Sequence, residues 1–358
     1  MSKTNRPPTI NDVAELAGVS RATTSRALAG YGRISEETVL TVRKAAEQLG
    51  YHPNEVARAM RAGKTKTIGL VVISDFTNAF FDRATKAIID AAKQNGYQTV
   101  VSHTDENVDN EKQAVKTLIE KRVDGLILVP SSDTDHQHLN SMALGGTPLV
   151  LFDRKLHDTK FASVTTGDLE GARAAVEYAH KKGHRAMAFL VAVPGIKNST
   201  DKRPQIPIST VEDRTDGFIK GAAMKDVKSQ MLFCEDSQSG AEAAVEGLLS
   251  GSKKPTIIFT SNNDMLLAML RVAGKLQVVI GKDLSVISFD DSPWAAAMSP
   301  AITVISRPVD QMGQEAVDLL VGQMSGKKIS EDSVLETQLI ERDSVATINQ
   351  PGPQITLV

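Results

Sequence analysis

From Thr67 onward, apolar runs of strand length alternate with amphipathic stretches of helix length, and this alternation constrains the fold most strongly. Ile68–Ile73 precedes an amphipathic stretch over Phe80–Asn95, which Gly96 ends. Thr99–His103 leads to Asn110–Lys121 and Gly125–Pro130, and Pro148–Phe152 closes a first series. A second series opens at Val164–Thr165, with a helix over Gly171–Lys182 and a strand over Ala186–Val193. It continues through Ser229–Cys234, Ser239–Leu249, Thr256–Thr260, Asn263–Ala273 and Ser285–Phe289. Strand and helix in strict alternation build doubly wound parallel sheets. Two series of similar design predict two lobes.

The first sixty residues follow a different rule. Thr9 is placed to cap a helix with Asp12 in its first turn, and Ile10, Val13, Ala14 and Ala17 fall on one face. Gly18 ends that helix, since glycine takes the left-handed conformation freely. Ser20 caps a second helix, on which Thr24, Ala27 and Leu28 share a face. Arg21, Ala22, Ser25, Arg26 and Ala29 fall on the other. Ser35 caps a third helix with a stripe of Val39, Val42, Ala46 and Leu49, ended by Gly50 and Pro53. Three short helices with so tight a first turn read as an all-α helix-turn-helix unit. Arginine can donate a fork to guanine, and Ala and Ser allow close approach to the major groove. A three-helix bundle with an incidentally basic surface has the same pattern.

Charge fits the first of these readings, and chance segregation of surface charge accounts for it equally well. Residues 1–66 hold 11 Lys/Arg against 6 Asp/Glu, so that end is +5 while the whole chain is −2. A basic end on an acidic body suits a nucleic-acid-binding module on a carrier.

The segments TINDVAELAGVSRATTSRALAG and RISEETVLTVRKAAEQLGYHPNEVARAMRAGKT closely resemble the headpiece and hinge of the lactose-repressor family, nearly without gaps over residues 9–65. The resemblance implies base-reading roles for Arg21, Ala22 and Arg26, and phosphate-positioning roles for Thr9, Asn11, Ser20 and Ser25. It implies that the hinge, Asn54–Ala62, folds on DNA beside its twin in a homodimer, with Asn54, Ala57 and Met60 at the minor groove. Met60 stands where the family's wedge is usually Leu. Thr24 replaces a usual buried Val, so its hydroxyl needs a backbone partner. Ala29 replaces a common Asn.

The resemblance continues through DFTNAFFDRATKAI, VDGLILVPS, PLVLFDR, RTDGF, TSNND, GKDLSVISFDDSPW and ITVISRP, and extends to the periplasmic sugar-binding proteins. Doubly wound sheets bind ligands at the carboxyl ends of their strands. There stand Asp75–Phe81, Asp153-Arg154, Asn262-Asn263-Asp264, Asp290-Asp291 and Arg307. Any of these Asn and Asp residues can instead cap the next helix. The family likeness implies effector contacts for Arg214, Asn263 and Asp290, with Asp153 and Arg307 lining the cleft and Phe76 and Phe81 after the first strand. Trp294 can stack on a sugar ring or fill the lobe edge. Arg307 replaces a usual Gln. With Arg154 and Arg214 it gives the cleft positive charge, unless the three pair with Asp153, Asp290 and Asp291. Residues 197–208 read as an insertion rich in Pro and charge.

The expected organisation is a headpiece over 1–52, a hinge over 53–65, a two-lobed periplasmic-binding-protein-like body over 66–345, and a frayed tail over 346–358. The expected function is a transcription regulator, more often a repressor. It would bind double-stranded DNA at a near-palindromic operator, under control of a carbohydrate-like effector held between the lobes.

An enzyme is disfavoured, because no dinucleotide or phosphate-loop glycine pattern and no nucleophile motif occurs. No cofactor is expected. His136-Gln137-His138 is the one close His pair, and it reads as a solvated loop rather than a metal site. A solute-binding protein is disfavoured because Met1–Pro8 lacks an apolar run behind it and so reads as no export signal. One cysteine, Cys234, fits a reducing, cytoplasmic setting, and no apolar stretch is long enough to suggest a membrane partner.

Overall fold

The structure is a computed structural model, and it describes residues 6–51, 64–73, 78–196, 200–225, 227–252, 254–327 and 332–348. The chain divides into two compact units, Met1–Thr65 and Lys66–Val358. The hinge positions Asn54, Ala57 and Met60, and Phe76 after the first strand, lie outside the described residues.

The first unit holds α1 (Ile10–Ala17), α2 (Arg21–Ala29) and α3 (Glu36–Leu49). Its caps follow the side-chain chemistry. Ser20 accepts from the Thr23 N–H at 3.1 Å, and Ser35 accepts from the Thr38 N–H at 3.3 Å. Gly18, Gly30 and Gly50 end the three helices at φ 67°, 72° and 63°, where a Cβ is disfavoured. Val13, Ala27, Val42, Ala45 and Ala46 form the core, with Val19, Leu28, Ile34, Val39 and Leu49 around it. Thr24 is fully buried, and its hydroxyl donates to the Ser20 carbonyl at 3.1 Å. The methyl therefore packs where a larger apolar group would, and the polar atom is satisfied one turn back.

The second unit has two lobes of matching topology. Lobe 1 contains β1 (Thr67–Val72), α4 (Ala79–Gln94), β2 (Gln98–His103), α5 (Val108–Glu120), β3 (Gly125–Leu128), β4 (Leu149–Phe152) and β5 (Ala162–Thr166). Lobe 2 contains α6 (Asp168–Lys181), β6 (Ala186–Ala192), α7 (Ser209–Met224), β7 (Lys228–Cys234), α8 (Gln238–Ser250), β8 (Ile257–Thr260), α9 (Asn263–Lys275), β9 (Ser285–Phe289), α10 (Pro293–Ala297) and β10 (Thr303–Ser306). The chain then returns to lobe 1 as α11 (Val309–Met324) and β11 (Ser333–Leu335), and ends in lobe 2 with β12 (Gln338–Ile340). The sheet orders are β11-β5-β4-β3-β1-β2 and β12-β10-β9-β8-β6-β7. All pairings are parallel except β10 with β12. Three crossovers join the lobes, at 166–168, 306–309 and 335–338.

The central strands β1, β3, β4, β6 and β8 read as nearly continuous apolar runs because helices cover both faces of each sheet. In lobe 1, α4 and α11 close over one face with Ile68, Leu70, Ile88, Phe152, Val317 and Leu320. Leu118, Leu126, Leu128 and Leu151 fill the other. Lobe 2 is packed the same way, and Trp294 lies against its core beside Ala295, Ile302 and Val304, which makes it a filler of the lobe edge. Helices α6 and α7 approach so closely that a Cβ on Gly217 would stand 2.2 Å from the Leu169 carbonyl.

One expectation is overturned here. The segment Gln137–Leu139 is a 3-10 turn rather than a solvated loop. His138 is half-buried, and its Nε2 meets the buried Glu111 carboxylate at 2.7 Å. Glu111 also accepts from the Ser131 N–H at 2.6 Å, so the histidine belongs to a buried polar network under the strand ends. No metal-competent cluster of His, Cys, Asp or Glu occurs among the described residues, and no described helix is long and apolar enough to cross a membrane.

Candidate functional site

In the first unit, the exposed side of α2 carries the residues expected to read bases. Arg21, Ala22 and Arg26 are exposed, while Thr24 and Ala27 on the opposite side are buried. The Arg26 Nε donates to the Ala22 carbonyl at 3.2 Å, and its stem lies along Gly32. Ser25 and Thr9 are half-buried, and Asn11 and Ser20 are exposed. Asp12 accepts from both the N–H and the hydroxyl of Thr9, at 2.7 and 2.8 Å, and pairs with Arg6 at 2.8 Å. The Thr9 bonds, and Arg6 beside them, hold the Asp12 carboxyl below the usual carboxylate range. The start of α1 is thereby fixed by a negative charge at its positive dipole end. The unit can present a small, basic helix face held rigidly by caps and core.

In the second unit, the cleft between the lobes is built on a repeated local device. Asp153 follows β4 and Asp290 follows β9, and both take left-handed φ values, 67° and 69°. Asp tolerates that region better than most side chains, though at a cost. Arg307, on the crossover after β10, binds both carboxylates. Its Nε donates to Asp290 at 2.6 Å and its Nη1 donates to Asp153 in a short contact. Its guanidinium also lies over the Phe80 ring, 3.4 Å from the centroid. Burial opposes the charge of Arg307, but Asp290, Asp153 and Asp168 outweigh it and raise its pKa further.

The other two arginines are also paired. Arg214 on α7 donates to the Ser261 carbonyl at 2.6 Å, approaches Asp168 at 3.5 Å, and lies 4.3 Å over the Phe289 ring. Arg154 donates to the Pro130 carbonyl at 2.8 Å and meets Glu106 at 2.5 Å. Of the two alternatives the strand ends leave open, paired arginines or a positive surplus, the structure has the paired one, because each guanidinium has a carboxylate in the cleft. The pairing differs in detail from the expectation. Asp291 turns away to Arg342 at 2.8 Å, and Asp168 and Glu106 take the places expected for it. Burial raises the Asp168 carboxyl above its ordinary range, although Arg214 and Arg307 work the other way.

Asn262 and Asn263 divide two roles between them. Asn262 caps α9 by accepting from the Met265 N–H at 2.9 Å. Asn263 is 6% exposed, and neither its amide oxygen nor its amide nitrogen has a hydrogen-bond partner among the described residues. One Asp168 oxygen and the Arg154 Nε, which lies 3.8 Å from Asp153, likewise have no hydrogen-bond partner among the described residues. Buried polar atoms are costly to leave unmade, so such a set is suited to a polar ligand.

Phe81, expected beside the ligand, packs edge-to-face on Phe80 at 4.9 Å between centroids, and both rings belong to the lobe 1 core. The aromatic that meets Arg307 is Phe80, as Phe289 meets Arg214. At the cleft mouth Asn78 of lobe 1 donates to Asp264 of lobe 2 at 3.2 Å. Asp236, which follows β7, keeps an exposed edge, yet partial desolvation and the neighbouring Glu106 and Asp264 carboxylates push it up to about 6. Asp168, Glu106 and Asp236 were not singled out in the sequence. Each is an acidic residue just past a strand, but those strands, QTVVSH, ASVTT and KSQMLFC, are of mixed polarity and so stand out less than the apolar ones.

Comparison with known proteins fits both units. Residues 9–54 match the family described as bacterial regulatory proteins, lacI family, and residues 176–345 match the periplasmic binding protein-like domain. The HTH-type transcriptional regulator RegA of Clostridium saccharobutylicum is 30% identical over 342 residues, covering 94% of this chain and 98% of that protein. The lac repressor dimer bound to operator and the anti-inducer ONPF superposes with a TM-score of 0.83 at 27% identity, over 95% of this chain and 100% of that one. The transcriptional regulator CelR in complex with cellobiose gives 0.68 at 26% identity, over 94% and 99%.

Proposed function

The chain belongs to the lacI family of bacterial regulatory proteins, and from that premise we propose that it is a cytoplasmic homodimeric repressor whose effector is an uncharged polyhydroxy compound. The effector binds in the cleft between the lobes, and each headpiece reads one half of a near-palindromic operator. Sugar ligands in solved relatives, such as the cellobiose of CelR, support this effector class.

The observation that carries the proposal is Asn263, buried with both amide atoms unspent amid arginines that already have carboxylate partners. An amide that can both donate and accept suits a hydroxyl, which does the same. A carboxylated or phosphorylated sugar would have to displace Asp153, Asp290 or Glu106 from an arginine. That would leave the displaced carboxylate uncompensated, which is costly in a buried site.

The effector acts by preferring one arrangement of the lobes, because a ligand shifts an equilibrium only by its differential affinity. The test is a thermal-shift screen of the full-length protein against neutral sugars, sugar acids and sugar phosphates. A neutral sugar at a hundredfold over its dissociation constant should stabilise the protein by about 2.7 kcal/mol, and the same sugar should change operator affinity. Stabilisation by sugar acids or phosphates alone would overturn the uncharged class.

A further inference from the structure

The segment Thr200–Ser209 has roots in lobe 2 and contacts on lobe 1. Thr200 exchanges two backbone hydrogen bonds with Phe233 of β7, both 2.9 Å. Arg203 pairs with Asp216 on α7 at 2.6 Å, and Ile206, 6% exposed, is part of the lobe 2 core. The segment then reaches across. The Pro207 carbonyl accepts from the Asp133 N–H at 3.4 Å, and the Ser209 hydroxyl accepts from the Lys155 N–H at 2.9 Å. Asp133 lies past the end of β3, and Lys155 adjoins Arg154 past the end of β4. The crossing therefore runs along the ligand side of lobe 1, apart from the three chain crossovers.

We propose that Thr200–Ser209 is a tie between the lobes that limits how far the effector cleft opens, and through that the size of the effector it admits. The chain crossovers join the lobes covalently but leave a hinge motion free, as crossovers in two-lobed proteins do. A hydrogen bond between the lobes is different, because it must break before they separate. The tie is fixed at its lobe 2 end by an ion pair, a buried isoleucine and a strand-edge bridge. Opening therefore breaks the two contacts on lobe 1 rather than carrying the segment along. The meaning of the inference rests on the cleft being the effector site, but its test uses no effector, so the two fail separately.

The test is thiol trapping in the full-length protein. Asn263→Cys places a thiol at a position only 6% exposed, so a disulfide-exchange reagent reaches it in proportion to the open population. Cys234, free and buried in the lobe 2 core, reports global unfolding. Adding Ser209→Ala removes one contact between the lobes and should raise the labelling rate at position 263 about fivefold, the equivalent of one hydrogen bond. Replacing residues 201–205 with a Gly-Ser stretch of equal length should raise it further, with Cys234 still protected. If that replacement exposes Cys234, the chain has unfolded and Ser209→Ala decides alone. An unchanged rate at position 263 in the Ser209→Ala protein overturns the proposal.

Discussion

Arg307 reaches from the crossover after β10 to the carboxylate of Asp153 in the other lobe, and the two residues are 3% and 5% exposed at their side chains. The same guanidinium holds Asp290 in its own lobe. Removing it takes the hydrogen-bonded partner from two buried carboxylates, leaving only the more distant Arg154 at 3.8 Å from Asp153 and Arg214 at 3.9 Å from Asp290. Such a loss costs about 3–5 kcal/mol, far more than the intact pair contributes. Arg307→Ala should therefore destabilise the two-lobed unit by about that amount in urea unfolding, and adding Asp153→Asn should restore part of it. A loss under about 1 kcal/mol would mean that water already shares the pair.

Arg26 stands on the exposed side of α2, and the helix packs through its other side. Arg26→Ala should cost about 1–3 kcal/mol in operator affinity, with little change in stability or effector binding. Filter binding or anisotropy on operator and on random DNA distinguishes base reading from phosphate contact. Equal losses on both would assign Arg26 to phosphate.

Asn263 is a cleaner probe of the effector than Asp290. Asp290→Ala would also break the Arg307 pair and mix stability with recognition. Asn263→Leu breaks no side-chain hydrogen bond among the described residues. It should leave the melting temperature of the free protein within a few degrees and weaken any stabilising sugar by about 1–3 kcal/mol. A sugar that stabilises wild type and the variant equally binds elsewhere.

The cleft mouth should respond to pH. Asp236 keeps an exposed edge, but its carboxyl is raised from 3.8 to about 6 by partial desolvation and by Glu106 and Asp264, with Arg154 opposing. A raised folded-state value means that its stabilising contribution is present at low pH and is lost as pH rises through about 6. His184 acts in the opposite sense, because burial lowers its pKa and its contribution is lost as pH falls below its ordinary value of 6.5. The informative quantity is therefore the difference between wild type and Asp236→Asn. The variant should be the more stable at pH 7.5, and its advantage should shrink as pH approaches 5. Parallel melting curves across that range would show that Asp236 titrates as an ordinary carboxylate.

The sequence by itself determined the local elements and the residue types at the strand ends. Ser20 and Ser35 cap helices, glycines end them, and the alternation after Thr67 yields parallel sheets, because these outcomes depend on neighbours within a few residues. It also placed Asp153, Arg154, Arg214, Asn263, Asp290 and Arg307 past apolar strands or on the helix that follows, where a doubly wound sheet puts its ligand. Which charge meets which was decided only by the tertiary structure. Arg307 and Asp153 are 154 residues apart, and Asp291 goes to Arg342 although Asp290 beside it goes to Arg307. Phe80 rather than Phe81 meets Arg307, a choice between adjacent aromatics that only the tertiary structure makes. Ion pairing depends on distance and desolvation in three dimensions, and neither is a property of spacing along the chain. The contacts of residues 200–209 on lobe 1 have the same origin, since they exist only where two lobes distant in sequence come within hydrogen-bonding reach.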